Sequence, residues 1–161
     1  MRLSLALVIA LIAASAAAQT PVGEEPVPPY VVSDANAGAE PLRDIRTFEA
    51  FGGKAGIDRV VADLIARSRA DPRLTDIFQG GDMVRLQRTL SEQLCYLLGG
   101  PCAYTGRSMD EAHRDMGLQQ ADFNALVETL QKAMDANGVP FRAQNRLLAK
   151  LAPMHRDVVD R

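Results

Sequence analysis

The sequence predicts an all-α domain that follows a short N-terminal extension. Apolar residues recur at the i, i+3, i+4 spacing of an amphipathic helix in the long segments, and the alternating pattern of a strand is missing. Glycine pairs or a proline separate these segments, as expected where helices end. With 161 residues, the chain has room for one domain and an appendage.

The helices are expected to follow one another with short joints. A helix that starts after Gly53 should end at Asp71, because the residue before Pro72 disfavours the α conformation. Asp82 is a plausible N-cap for the next long helix, and Pro153 should kink the last one. In chain order, helices are predicted at residues 43–51, 54–71, 83–98, 109–116, 120–137 and 141–159, with a compact turn at 74–78.

Residues 1–18 have the three parts of a secretory signal peptide. Arg2 precedes an apolar run, and an alanine-rich stretch then ends in an A-x-A pattern. The run is shorter than the ~20 residues of a membrane span, although an uncleaved anchor helix is the alternative. We therefore expect an exported protein, periplasmic or secreted, with no stable membrane insertion after cleavage.

Residues 19–44 are predicted to form an acidic tether rich in proline. Prolines stand at positions 21, 26, 28, 29 and 41, and proline both fixes φ and removes a backbone donor. Neither a helix nor a central strand should run through this segment. The alternative is that Tyr30, Val31 and Val32 dock on the domain as a short arm. Residues 45–161 then form the folded domain.

Composition and charge exclude some functions. The net charge is −2 and the basic residues are scattered, so nothing indicates a nucleic-acid partner. The two histidines, His113 and His155, have no cysteine or histidine at zinc-site spacing, and C-x-x-C-H is absent. His113 follows a glycine-bounded loop between apolar helices. It is either an ordinary helix residue or a single axial ligand to a non-covalent haem.

A specific string of residues carries a family resemblance. The segment LGGPCAYTGRSMDEAH ends at His113, and it is accompanied in order by FEAFGGKAGIDRVVADL, DPRLTDIF and the joint ANGVP. Together these segments resemble a group I truncated haemoglobin over residues 48–159, in a bacterial branch with a cysteine on each side of the Gly-Gly. The resemblance implies a truncated globin fold, a two-over-two helical sandwich, and haem b with its iron as cofactor.

The resemblance also implies roles for individual residues. His113 would be the proximal iron ligand, and Phe78 would pack on the haem. For the others, plain core packing remains the alternative, and surface exposure is the alternative for the arginines. The implied distal residues are Ile65, Leu86 and Leu90; Tyr104, Met116 and Phe123 would contact the porphyrin or the loop that covers it; Arg85, Arg88 and Arg107 are candidates for the haem propionates.

On the distal side the sequence departs from the better-known family pattern. Many members have a tyrosine where Ile65 stands and a polar residue where Leu86 or Leu90 stands, and these groups donate to bound O₂. Gln93 is the residue best placed to substitute. The primary expectation is a protein that reversibly binds O₂, NO or CO for transport, scavenging or sensing, with an unidentified electron donor. A haem enzyme, acting as nitric oxide dioxygenase or peroxidase, is the alternative, and a haem-free interaction module a weaker one.

Cys95 and Cys102 flank the Gly-Gly-Pro bend. In an oxidising compartment, two cysteines without metal partners usually pair, so a disulfide is expected. A buried free Cys95 beside an exposed Cys102 is the alternative.

Overall fold

A computed structural model describes residues 20–159, and its secondary structure there is helical. The expected signal peptide lies outside these residues. The all-α prediction is confirmed. The helices are α1 (Arg46–Ala50), α2 (Gly53–Ala70), α3 (Thr75–Gln79), α4 (Met83–Leu97), α5 (Met109–His113), α6 (Gln120–Ala136), α7 (Phe141–Leu151) and α8 (His155–Val158), with 3₁₀ turns at Asp34–Ala37 and Ala152–Met154.

Local sequence signals determine where the long helices begin and end. Asp71, which precedes a proline, is extended and ends α2. The Asp82 carboxylate accepts a 2.9 Å hydrogen bond from the amide of Arg85 and caps α4. Gly138, with φ of 70°, takes the left-handed conformation after α6.

Three helices differ in length from the prediction. Helix α1 begins only at Arg46, because the Leu42 amide upstream donates to the Leu97 carbonyl (2.9 Å) instead of entering a helix. Helix α5 stops at His113, since Arg114 leaves the helical region and Asp115 has a φ of 63°. The kink expected at Pro153 appears as a 3₁₀ turn that separates α7 from α8.

Helix α2 lies at the centre of the core. It packs against α4 and α6, and α6 and α4 also contact α7, which is the two-over-two arrangement. Ile57, Val60 and Val61 are fully buried on its inner face. A Cβ at Gly56 would lie 1.7 Å from the Phe51 carbonyl oxygen, so the close approach of α1 to α2 requires glycine there.

A disulfide joins Cys95 in α4 to Cys102, with 5.8 Å between their Cα atoms. The structure thus contains the pairing expected from sequence. Between the two cysteines the chain turns back at Gly99, whose φ is 80°. The bridge therefore ties the end of α4 to the start of the loop that leads to His113.

The segment expected to be an extended tether lies against the helical body instead. Within residues 20–44 proline leaves only one 3₁₀ turn, yet polar groups of the segment still bind the domain. The Asp34 carboxylate accepts from the Tyr104 amide (2.7 Å), and the Tyr30 hydroxyl donates to the Thr105 carbonyl (2.9 Å). The alternative of a docked Tyr30 therefore describes the structure better. We call residues 20–44 the N-terminal arm.

None of the helices in residues 20–159 is both long and apolar enough to cross a membrane.

Candidate functional site

A cavity of about 370 Å³ opens between α3, α4, α5 and α6. Its wall is mostly aliphatic and aromatic, with few polar groups, which is typical of a site for an apolar ligand. His113, the last residue of α5, lines this cavity. The cavity thus joins a single imidazole to a largely apolar wall.

His113 has a defined tautomer. Its Nδ1 lies 2.8 Å from the backbone carbonyl oxygen of Met109, one turn earlier in α5. A carbonyl only accepts, so Nδ1 must carry the proton and donate it. Nε2 then keeps its lone pair. A hydrogen bond from the second ring nitrogen to a carbonyl is the usual orientation of a metal-binding histidine.

The surroundings of His113 also favour its neutral form. Burial lowers the pKa of the imidazole, and the hydrogen bond to Met109 opposes this only in part. The ring is therefore uncharged at neutral pH, which is the form that binds a metal.

Seven of the eight side chains predicted for cofactor binding surround this one cavity. These are Phe78, Leu86, Leu90, Tyr104, His113, Met116 and Phe123. They come from four helices and two loops, so the fold brings together residues that are up to 45 positions apart in the sequence, from Phe78 to Phe123.

Ile65 is placed elsewhere. It is 7% exposed and belongs to the core cluster around α2, and it does not line the cavity. Leu86 and Leu90 pack against the same cluster and also face the cavity. Ile65 therefore belongs to the core around α2 and not to the cavity wall.

Tyr104 contributes its ring to the cavity wall, and its hydroxyl is engaged with the protein. The hydroxyl donates to the Arg107 carbonyl (2.9 Å), and burial raises the pKa of the phenol, which stays neutral. A Cβ at Gly106 would lie 2.2 Å from the Tyr104 hydroxyl oxygen. The Tyr-Thr-Gly motif thus forms a tightly packed loop before α5.

Gln93 lines the cavity, but its amide already has partners. Nε2 donates to the Ala37 carbonyl (3.0 Å) and lies 3.4 Å from the Met109 sulfur. The side chain is buried. In this arrangement Gln93 holds the arm rather than pointing a free donor into the cavity.

The second histidine is outside the cavity wall. His155 Nε2 lies 2.6 Å from the side-chain oxygen of Gln120, and its ring packs edge-to-face on Phe123 with 5.0 Å between centroids. It supports Phe123 from behind, and Phe123 itself lines the cavity.

Only two of the three predicted arginines lie in the cavity wall. Arg85 and Arg107 line the cavity, and Arg88 does not. Several other lining residues carry no sequence signal for a binding role. Leu118 and Leu126 were recognisable only as apolar helix or loop residues, while Val27 and Tyr30 come from the proline-rich arm, where no local pattern indicates a binding role.

The residues present fit haem. A flat macrocycle with an apolar body needs aliphatic and aromatic walls, a neutral imidazole for the iron, and charged groups only at the edge. The cavity supplies the apolar walls and the imidazole of His113, and its lining includes two cations, Arg85 and Arg107, which also contact the N-terminal arm.

Comparison with known proteins agrees with this fit. The model of the bacterial-like globin family matches residues 46–160. The group 1 truncated hemoglobin GlbN of Nostoc commune is 31% identical over 114 residues, covering 71% of this chain and 97% of that protein. The GlbN of Mycolicibacterium paratuberculosis is 31% identical over 111 residues, with 69% and 82% covered.

Solved structures show the same likeness. The truncated hemoglobin of Tetrahymena pyriformis in its Fe(III) form superposes with a TM-score of 0.68 at 29% identity, covering 71% of this chain and 98% of that chain. The 2/2 hemoglobin of Synechococcus sp. PCC 7002, in a form with covalently attached heme, gives 0.66 at 26% identity and the same coverage. The chain therefore belongs to the bacterial-like globin family and within it to the group 1 truncated haemoglobins, haem-iron proteins that bind diatomic gases.

Proposed function

We propose that this protein is an exported haem b globin that binds a diatomic gas reversibly, with His113 as the proximal iron ligand. The observation that carries the proposal is the hydrogen bond from His113 Nδ1 to the Met109 carbonyl, which leaves Nε2 free beside the apolar cavity. When bound, haem supplies an iron atom with one coordination position for the gas.

The other wall residues would hold the macrocycle by apolar contact. Phe78 is 9% exposed and packs with Leu74 and Ala125, so its ring is fixed in the cavity wall and would contact the macrocycle. Phe123 is fixed in the same way by His155. Burial of apolar surface, about 25 cal/mol per Å², would provide most of the binding free energy.

Reversible binding is favoured over oxidation chemistry by the distal side chains. Leu86 and Leu90 carry no donor, and the amide of Gln93 is engaged with Ala37. Without a donor, O₂ gains no charge-assisted hydrogen bond, which is worth roughly 1.5–3 kcal/mol. Fast O₂ release suits scavenging or sensing better than a reaction that must hold O₂ until a second substrate arrives.

An electron donor and export complete the proposal. O₂ and CO bind ferrous iron, so an electron donor of unidentified kind is needed.

Export rests on residues 1–18, whose charge and apolar pattern is that of a signal peptide. Mass spectrometry of protein from a periplasmic fraction should find a chain that starts near Gln19; intact Met1 in soluble cytosolic protein would contradict it.

The visible spectrum of the purified protein tests the haem site. We expect a Soret band that shifts on reduction and again on addition of CO. His113→Ala should lose haem or require added imidazole to restore the spectrum, and His155→Ala should keep it. A wild-type protein without a Soret band after reconstitution with hemin would contradict the proposal.

A further inference from the structure

We propose that the N-terminal arm is a strap that closes the haem cavity and sets how tightly haem is retained. The inference rests on the haem site proposed above. It starts from two lining residues, Val27 and Tyr30, which belong to the arm and not to any helix of the globin body. Part of the cavity wall is therefore built by the arm.

The arm is anchored beside the cavity by a buried carboxylate. Glu24 accepts from Arg85 Nε (3.1 Å), and both of its oxygens accept from Arg88, with Nη2 at 2.9 Å. Its side chain is only 1% exposed. A carboxylate shielded from water is stable only when it is paired. Separation of the Glu24 carboxylate from the two guanidinium groups would therefore have a large free-energy cost.

Further contacts hold the arm on each side of Val27. The Glu25 amide donates to the Asp82 carboxylate (2.8 Å), and its carbonyl accepts from Arg85. On the other side, Tyr30 lies under the Arg107 guanidinium, 5.2 Å from ring centroid to Cζ. Val27, held between these two anchors, is 38% exposed and so forms the outer edge of the cavity wall.

The three arginines offered by the sequence for the haem propionates all bind the arm. Arg85 and Arg88 hold Glu24, while Arg107 stacks on Tyr30 and reaches the Pro28 carbonyl (3.4 Å). Two arrangements have opposite consequences. Either the arm closes over bound haem and retains it, or the acid groups of haem replace Glu24 and expel the arm.

The contacts beyond the rim favour the closed strap. Asp34 accepts from the Tyr104 amide, and the Asn36 side chain donates to the Gly106 carbonyl (3.2 Å). These bonds clamp the loop that leads directly to the Ser108 cap of α5 and so to His113. The arm thus braces the helix that carries the iron ligand as well as covering the cavity.

Haem transfer from the ferric protein to an excess of apomyoglobin tests the strap. The change is Glu24→Gln, which keeps the shape but removes the charge that binds Arg85 and Arg88. We expect haem loss to be at least about tenfold faster, because one charge-assisted contact is worth about 1.5–3 kcal/mol. The matched control is Asp58→Asn, which removes the carboxylate of an exposed pair with Lys54 within α2.

Val27→Ser is a second test of the strap that leaves the ion pairs of Glu24 intact. Val27 is at the edge of the wall, so a serine there does not disturb the core but opens the apolar cover. Haem loss should again accelerate, and limited proteolysis should cut residues 20–32 faster in Glu24→Gln than in wild type. If Glu24→Gln fails to fold by circular dichroism, Val27→Ser alone decides.

Unchanged haem loss in both variants would overturn the strap. Slower haem loss in Glu24→Gln would overturn it as well, since it would show that Glu24 competes with the acid groups of haem. Both results differ from failure of the proposed function, in which wild-type protein would take up no haem at all.

Discussion

The side-chain amide of Gln93 donates a 3.0 Å hydrogen bond to the backbone carbonyl of Ala37, which joins α4 to the N-terminal arm through a buried contact. The same amide faces the cavity, where a donor would stabilise bound O₂. One N–H of Nε2 donates to Ala37 and Nε2 also lies 3.4 Å from the Met109 sulfur, so both donors of the amide already have partners. The contact with Ala37 therefore gives Gln93 a structural role, which is to anchor the arm to α4.

Gln93→Leu should destabilise the protein without changing O₂ release. Loss of the amide leaves the Ala37 carbonyl without its partner, a cost of about 1–3 kcal/mol, while O₂ loses no donor. We expect a lower melting temperature and an O₂ release rate within about twofold of wild type by stopped-flow, since a twofold change is well below one hydrogen bond. Gln144→Leu is the control, because its amide binds Asp135 and Val139 away from the cavity. A large acceleration of O₂ release would show that Gln93 turns inward.

Leu90→Gln, in contrast to Gln93→Leu, should change the rate of O₂ release. Leu90 lines the cavity and is only partly buried against the core, so an amide there can reach a bound gas. A new charge-assisted hydrogen bond should slow O₂ release by about ten- to hundredfold and affect CO far less. Leu90→Met keeps an apolar side chain of similar size and should leave both rates near wild type. Equal slowing of O₂ and CO would indicate a steric gate instead of a donor.

Much of the fold could be predicted because its signals are local. Asp71 before Pro72 ends α2, and Asp82 caps α4 within three residues of its partner. His113 was also recognisable, since the motif before it has a specific spacing. Each of these depends on neighbours in the chain, which a sequence displays directly.

The remaining features depend on distant residues. Glu24 pairs with Arg88, which is 64 positions away, and nothing near Glu24 distinguishes it from other acidic residues of the arm. Ile65 shows the limit of helical periodicity: the spacing predicts an inward side chain, but does not tell whether that side chain meets the cavity or the core.

Replacement of His113 should remove the iron–protein bond. With Ala at this position we expect weak haem affinity, and binding of free imidazole should restore the absorption spectrum of wild type. His155→Ala is the matched control, since His155 contacts Gln120 and Phe123 and not the cavity. If His155→Ala lost haem and His113→Ala kept it, the assignment of the ligand would be wrong.

Opening the disulfide should lower stability by a predictable amount. A loop closed over a sequence separation of 7 residues contributes about 2.5 kcal/mol in the chain-entropy model. We expect urea unfolding in the presence of reductant to give a free energy lower by about this value. The variant with Cys95→Ala and Cys102→Ala should not respond to reductant. A wild-type protein that is equally insensitive would contradict a bridge in the native protein.

The contribution of Glu24 to stability should disappear in acid. Its hydrogen bonds with Arg88, and then the charges of Arg88 and Arg85, hold the pKa of this carboxyl below its ordinary value of 4.5. The folded protein therefore binds the proton of Glu24 less readily than the unfolded chain does. The stabilisation by Glu24 is complete above pH 4.5 and is lost as the pH falls through the folded-state pKa.

The measurement is the difference in unfolding free energy between wild type and Glu24→Gln across this range of pH. Asp82 also has a lowered pKa, and it shares Arg85 with Glu24 and accepts from the Glu25 amide, so the same difference is measured in an Asp82→Asn background to separate its contribution. We expect a constant advantage of wild type near neutral pH that shrinks steadily below 4.5. An advantage that persists unchanged into strong acid would mean that Glu24 holds the arm by shape and not by charge.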